Sequence, residues 1–240
     1  MVRMAVHAQN HAYTGPTMDR KIILSLVAVI LLVLAAAVLL PGGRPVDGAP
    51  KLPWQIDSSG DKLRVFGMTL GETTLAEAQQ LLGADGEMTL FRSNSGEYAA
   101  EAYFQRASLS GLRADFILSL DLSAGDAGAM FERGLRISKL GSGTRKIELS
   151  EPDRQQLRQT AIAHLTYIPA SDLEPDLIAR QFGQPQEKLA EAEGIEHWLY
   201  PHRGLDIAIN PNGKEVLQYL QPAQFERATA PLRAQPSAAH

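Results

Sequence analysis

GLDIAINPNGKEVLQYL, residues Gly204 to Leu220, is the stretch from which the fold is best read. Leu205, Ile207 and Ile209 recur at period two, Pro211-Asn212-Gly213 offers a turn, and Val216, Leu217, Tyr219 and Leu220 return. Alternation of apolar and polar side chains marks a half-buried strand, and Asn-Gly between two such runs is a strong hairpin signal. Just upstream, His197-Trp198-Leu199-Tyr200 reads as a third, aromatic strand, reached through a charged connector from Glu187 to Glu196. Before the connector, Glu174-Pro175 opens a helix whose Leu177, Ile178 and Phe182 are apolar and which Gly183 ends.

About 100 residues earlier the same order recurs. Thr74 with Glu77 forms a capping-box pattern, Leu75, Ala78 and Leu82 make one apolar face, and Gly83 supplies the C-terminal cap. Strand-like runs follow at Met88–Arg92, Glu97–Gln105 and Leu112–Leu122. In the last, Phe116, Leu118, Leu120 and Leu122 share one face, and Asp115, Ser119 and Asp121 the other. Between the two copies, a helix is expected over Asp126–Ser138, with Ala129, Met130 and Leu135 inward. A strand follows at Arg145–Leu149, then a Ser150-capped helix running to about Leu165. The Trp54–Phe66 segment is read as one short strand.

At the other end, Ile22 to Leu40 reads IILSLVAVILLVLAAAVLL, with Ser25 its one polar side chain. At about 1.5 Å per helical residue it reaches about 28 Å, close to a hydrocarbon core of about 30 Å. Arg20 and Lys21 stand before it, which places the N-terminus in the cytoplasm and the rest across the inner membrane, in the periplasm. The competing reading is a cleaved signal peptide using Ala35-Ala36-Ala37; both imply export. Met18-Asp19-Arg20-Lys21 also resembles a natural start for an exported chain.

Composition excludes several function classes. The 240 residues carry a formal net charge of -4, with basic residues scattered, so no nucleic-acid partner is expected. There is no cysteine, which removes disulfides, thiolate metal sites, a thiol nucleophile and a lipidated N-terminal cysteine.

Residues with catalytic potential are few. His197 and His202 flank the aromatic strand with Asp206 near, a base and its orienter, but no nucleophile motif accompanies them. Glu191, Glu193 and Glu196 read as a solvated acidic connector, and Gly141 to Lys146 as a tight turn lacking phosphate-loop spacing. No cofactor or metal is expected, and the chain does not read as an enzyme. Trp198 and Tyr200 are the candidates for contact with a protein partner, with sheet core as the plainer reading.

Asp176-Leu177-Ile178, Phe182-Gly183-Gln184-Pro185, Trp198 to Tyr200, Gly204 to Ile207 and Gly213 to Tyr219 together resemble the small helix-and-sheet domains of the BamE (SmpA/OmlA) type, and the tandem arrangement of the beta-lactamase inhibitory proteins. The resemblance implies action by binding other envelope proteins. The chain departs from it by having an apolar segment where a lipid-attachment cysteine would stand.

The expectation is thus an α+β chain: a cytoplasmic segment over 1–21, a membrane helix from Ile22 to Leu40 anchored in lipid, and a linker over 41–53. Two small helix-on-antiparallel-sheet units follow over 54–165 and 166–222, then a disordered tail over 223–240. The expected function is a single-pass inner-membrane scaffold or assembly factor. The alternative is an envelope hydrolase or apolar-ligand binder built on His197, His202 and Asp206.

Overall fold

Signals that need only a few neighbouring residues appear where the sequence puts them. In the computed structural model, which describes residues 50–58 and 60–234, the Glu77 carboxylate accepts from the Thr74 backbone N–H at 2.8 Å while Thr74 accepts from Glu77 N–H. Helix α1 (Leu75–Leu82) then ends on left-handed Gly83. Ser150 caps α3 (Glu151–Arg158), and α4 (Pro175–Phe182) stops at Gly183. Between them lies α2 (Ala124–Glu132), capped by Ser123.

The strands are β1 (Arg64–Val65), β2 (Met68–Thr69), β3 (Glu87–Arg92), β4 (Tyr98–Leu109), β5 (Leu112–Leu120), β6 (Arg136–Lys139), β7 (Arg145–Glu148), β8 (Ile162–Pro169), β9 (Glu187–Ala190), β10 (Glu196–Tyr200), β11 (Leu205–Ile209) and β12 (Val216–Tyr219). The first two form a separate hairpin. The other ten make one antiparallel sheet in the order β6-β7-β3-β4-β5-β8-β12-β11-β10-β9.

That continuous sheet corrects the expected pair of small units. The join is β8, which pairs with β5 on one side and with β12 on the other, Phe116 and Leu217 both standing opposite Tyr167. Sequence reading assigned Ile162 to Leu165 to the end of a helix. In fact α3 stops at Arg158, and Ile162, Leu165, Tyr167 and Pro169 are buried on a strand. A bulge between Ser119 and Leu120 of β5 adjusts the spacing of that pattern, so a strict period of two is hard to see. With β8 in place the half-sheets share their backbone hydrogen bonds, and neither has an inner edge.

Four further expectations are corrected. The helix over Asp126–Ser138 ends at Glu132, capped at Arg133, and the chain then passes so close to β7 that a side chain at Gly134 would meet Ile147 Cγ2 at 2.5 Å. Leu135 consequently lies outside on the approach to β6, not in the core. Glu187–Ala190 is a strand and not connector. Pro222–Ala234 is helix α5 instead of a tail, since Phe225 and Thr229, one turn apart, are buried on one face; residues 235–240 lie outside the described residues. The Asn212-Gly213 turn is longer than a two-residue hairpin: Gly213 N–H reaches Asn210 C=O at 3.3 Å, with Pro211 second in the turn.

The Trp54–Phe66 strand is likewise replaced by the β1–β2 hairpin, whose turn uses left-handed Phe66 (φ 55°) and Gly67 (φ 82°). That backbone costs Phe66 about 1–2 kcal/mol. It directs the buried ring onto Phe116, Tyr167 and Tyr219, at centroid distances of 5.3, 5.0 and 5.6 Å, where burial returns about 2 kcal/mol.

Because side chains alternate across a strand, β10 serves two cores. Trp198 and Tyr200 join the main core with Ile178 and Phe182 of α4, while Leu199 packs with Leu220 and Phe225 of α5 on the other face. The apolar segment Ile22–Leu40 lies outside the described residues; among those described, no helix is long and apolar enough to cross a membrane.

Candidate functional site

The His197–Asp206 pair, on which the alternative reading as a hydrolase rests, is present but closed. Asp206 on β11 stands opposite Leu199, which places its carboxylate diagonally beside His197 on β10. His197 Nδ1 is 2.9 and 3.0 Å from the two Asp206 oxygens, and Nε2 is 2.9 Å from Glu191 Oε2. His197 and Asp206 are both buried. Burial alone would lower the imidazole's proton affinity, but the bonds and charges of Asp206 and then Glu191 outweigh it, holding His197 above its ordinary value. With both ring nitrogens taken, the imidazole has no free position from which to accept a substrate proton. The arrangement is a clamp joining β10, β11 and the segment after β9.

His202 is not part of it. It sits exposed on the turn Pro201–Arg203 and lines a shallow hollow of about 310 Å³ with Phe182, Gly183, Tyr200 and Arg203. Of the acidic trio, Glu191 is the clamp's third member, Glu196 accepts from Trp198 Nε1, and Glu193 is exposed. Among the described residues no group of His, Asp and Glu has the geometry to hold a metal ion.

Trp198 and Tyr200 are both buried. Lys188 Nζ lies 3.9 Å over the Trp198 ring, and the Tyr200 hydroxyl donates to Gly183 C=O at 3.0 Å. Burial pushes that phenol up to about 12. Gly141 to Lys146 is the tight turn and first residues of β7.

Sequence reading passed over a different feature, the outer edge of β6. Leu135 is 65% exposed, Ile137 50% and Leu140 42%, and they are the large hydrophobic side chains that stand out of the surface among the described residues. All three lie on or beside one strand that, among the described residues, has a neighbour, β7, on one side only. Leu140 N–H bonds to Thr144 C=O, and the antiparallel ladder alternates from there, so the main-chain groups of Ile137 and Lys139 point away from β7. At the opposite edge, Glu187 of β9 is bonded by Arg233 of α5, and Lys188 bridges to Glu196 of β10. The sequence signal for β6 is the Leu135-Arg136-Ile137 alternation between Gly134 and Gly141, which overlaps the helix expected over Asp126–Ser138.

Comparison of the chain with protein-family models, with curated proteins and with solved structures returned no match.

Proposed function

We propose that this chain is an exported, non-catalytic envelope protein that binds another protein by accepting a strand of it along β6. The observation that carries this reading is an edge that no strand among the described residues covers: the main-chain groups of Ile137 and Lys139 face outward, beside half-exposed Leu135, Ile137 and Leu140. Such an edge gives affinity through main-chain hydrogen bonds and selectivity through alternate side chains. The closed His197 clamp favours binding over hydrolysis. The apolar sequence Ile22–Leu40 behind Arg20 and Lys21 supports placing the folded part in the periplasm, held at the inner membrane through that segment. The resemblance of residues 176–219 to BamE-type domains, which act by binding envelope proteins, points the same way.

The test is a photo-crosslinking residue at Leu140 in living cells, alone and combined with Ile137→Pro. Proline removes an outward N–H while leaving the bonds to β7. A discrete protein adduct that the proline abolishes is the expected result. No adduct, or one indifferent to the proline, sinks the reading.

A further inference from the structure

The free edge carries a second pattern, visible once the strand registers are lined up. Arg92 of β3 stands opposite Arg145 of β7, and Arg145 stands opposite Lys139 of β6. Three cations therefore lie side by side across neighbouring strands on one face, with Lys139 outermost. Like charges directly opposite one another destabilise a sheet. None of the three is in an ion pair with any described residue, although Lys146, the next residue of β7, pairs with Glu87. The adjacent row on the same face is wholly apolar: Leu90, Ile147 and Ile137.

The cation row is built into the surrounding structure. The Arg92 guanidinium lies 5.0 Å from the Phe131 ring centroid and 5.7 Å from that of Tyr98, and its Nε is buried without a hydrogen-bond partner. Asn94, in the β3–β4 turn, donates to Ser142 C=O in the β6–β7 turn at 3.0 Å, tying the two hairpin tips together. Between them is a hollow of about 220 Å³, lined by Arg92, Asn94, Lys139, Gly143 and Arg145.

A strand added to β6 would extend both rows by one place, about 4.8 Å further out. Its residue opposite Ile137 continues an apolar row, and its residue opposite Lys139, two positions along on the same face, continues a cationic one. We infer that the segment accepted by β6 is an acidic extended peptide of a partner protein, with an apolar side chain opposite Ile137 and a carboxylate opposite Lys139. This rests on the strand-addition reading and names its occupant. Charge also argues against a second copy of this chain, because edge-to-edge pairing would bring two sets of Arg136, Lys139 and Arg145 together.

The experiment uses the full chain in detergent micelles and three labelled ten-residue peptides, in each of which one strand face alternates Val with Asp, Val with Lys or Val with Ser while Ser fills the other face (repeats of Val-Ser-Asp-Ser, Val-Ser-Lys-Ser and Val-Ser-Ser-Ser). Binding is read by fluorescence anisotropy at about 50 mM salt, and amide hydrogen exchange is followed at Ile137 and Lys139. The Val-Asp peptide is expected to bind at least about tenfold more tightly than the Val-Lys peptide, a preference that shrinks as salt rises. It should protect the Ile137 and Lys139 amides and lose binding in Ile137→Pro, and the charge preference should reverse in Lys139→Glu/Arg145→Glu. Equal binding of all three peptides with those amides protected would keep strand addition and overturn the acidic preference. Val-Asp binding without amide protection, unchanged by the proline, would make the row a plain anion site and overturn the inference. Protection that grows with protein concentration alone would assign the edge to a second copy. If no peptide binds, the inference and the strand-addition reading fall together.

Discussion

His197 Nδ1 and Asp206 Oδ2 are 2.9 Å apart, and the far nitrogen of the same ring meets Glu191 at 2.9 Å, so one buried imidazole holds two carboxylates. The ring binds its proton more tightly in the folded chain than in the unfolded one, where its ordinary value is 6.5. Its stabilising contribution is therefore complete below about pH 6.5 and is lost as pH rises through the folded value. Thermal melts of wild type and His197→Gln from pH 6 to 9 should show a gap in Tm that is widest at the acid end and narrows toward the alkaline end. A constant gap would show that the clamp is not charged.

Removing the imidazole altogether leaves Asp206 buried and unpaired. His197→Ala is expected to cost about 3 kcal/mol at pH 6, measured by urea unfolding, with much of the loss recovered in His197→Ala/Asp206→Ala. A double variant as unstable as the sum of the singles would mean the two side chains are not coupled.

Gly204 is enclosed more tightly than the other left-handed glycines. A Cβ there would stand 2.0 Å from Leu220 C=O and 2.6 Å from Leu63 Cδ1, whereas at Gly111 nothing lies within 4 Å. Gly111→Ala should cost about 1 kcal/mol from backbone strain alone. Gly204→Ala should cost well above that, about 3 kcal/mol, since backbone and core must both shift. Equal costs in denaturant titrations would contradict the close approach.

Ser150 and Arg133 converge on Asp153. Burial works against its charge, but the bonds from Arg133 and Ser150 prevail and hold the carboxyl below its usual range. That stability is present above pH 3.8 and lost as pH falls through the folded value. Ser150→Ala should cost about 1 kcal/mol at pH 7 and less at pH 3 in chemical denaturation, a pH dependence that a purely steric cap would not show.

The proposed periplasmic placement can be checked with reporters joined after Ala234. Alkaline phosphatase, active only outside the cytoplasm, should be active there, and a fluorescent protein that matures only in the cytoplasm should be dark. The reverse pattern would move the folded part to the cytosol.

The parts of the fold legible in sequence were those set by neighbours: the Thr74–Glu77 box, the Ser150 cap, the α4 stripe of Ile178 and Phe182, and the Leu205–Ile209 alternation. Those missed depend on distant partners. Ile162–Pro169 becomes a strand because β5 and β12 wait on either side, and α5 forms because Leu199 and Leu220 offer Phe225 a seat. Of the candidate chemistry, His197 and Asp206 meet as their spacing on adjoining strands allows, yet no local pattern showed that Glu191 would take the remaining nitrogen. The β6 edge eluded reading for a similar reason: whether a strand is outermost depends on what fails to pair with it.

Position in the sheet also governs when this molecule can assemble. β12 is the final strand in the chain, yet it sits inside the sheet, between β8 and β11, and is what attaches β9, β10 and β11 to everything before them. Made from the N-terminus onward, those three strands precede β12 and stay unattached until the segment that locks them in has followed. A chain that is clipped before Val216 is therefore left with two sheets and two raw inner borders.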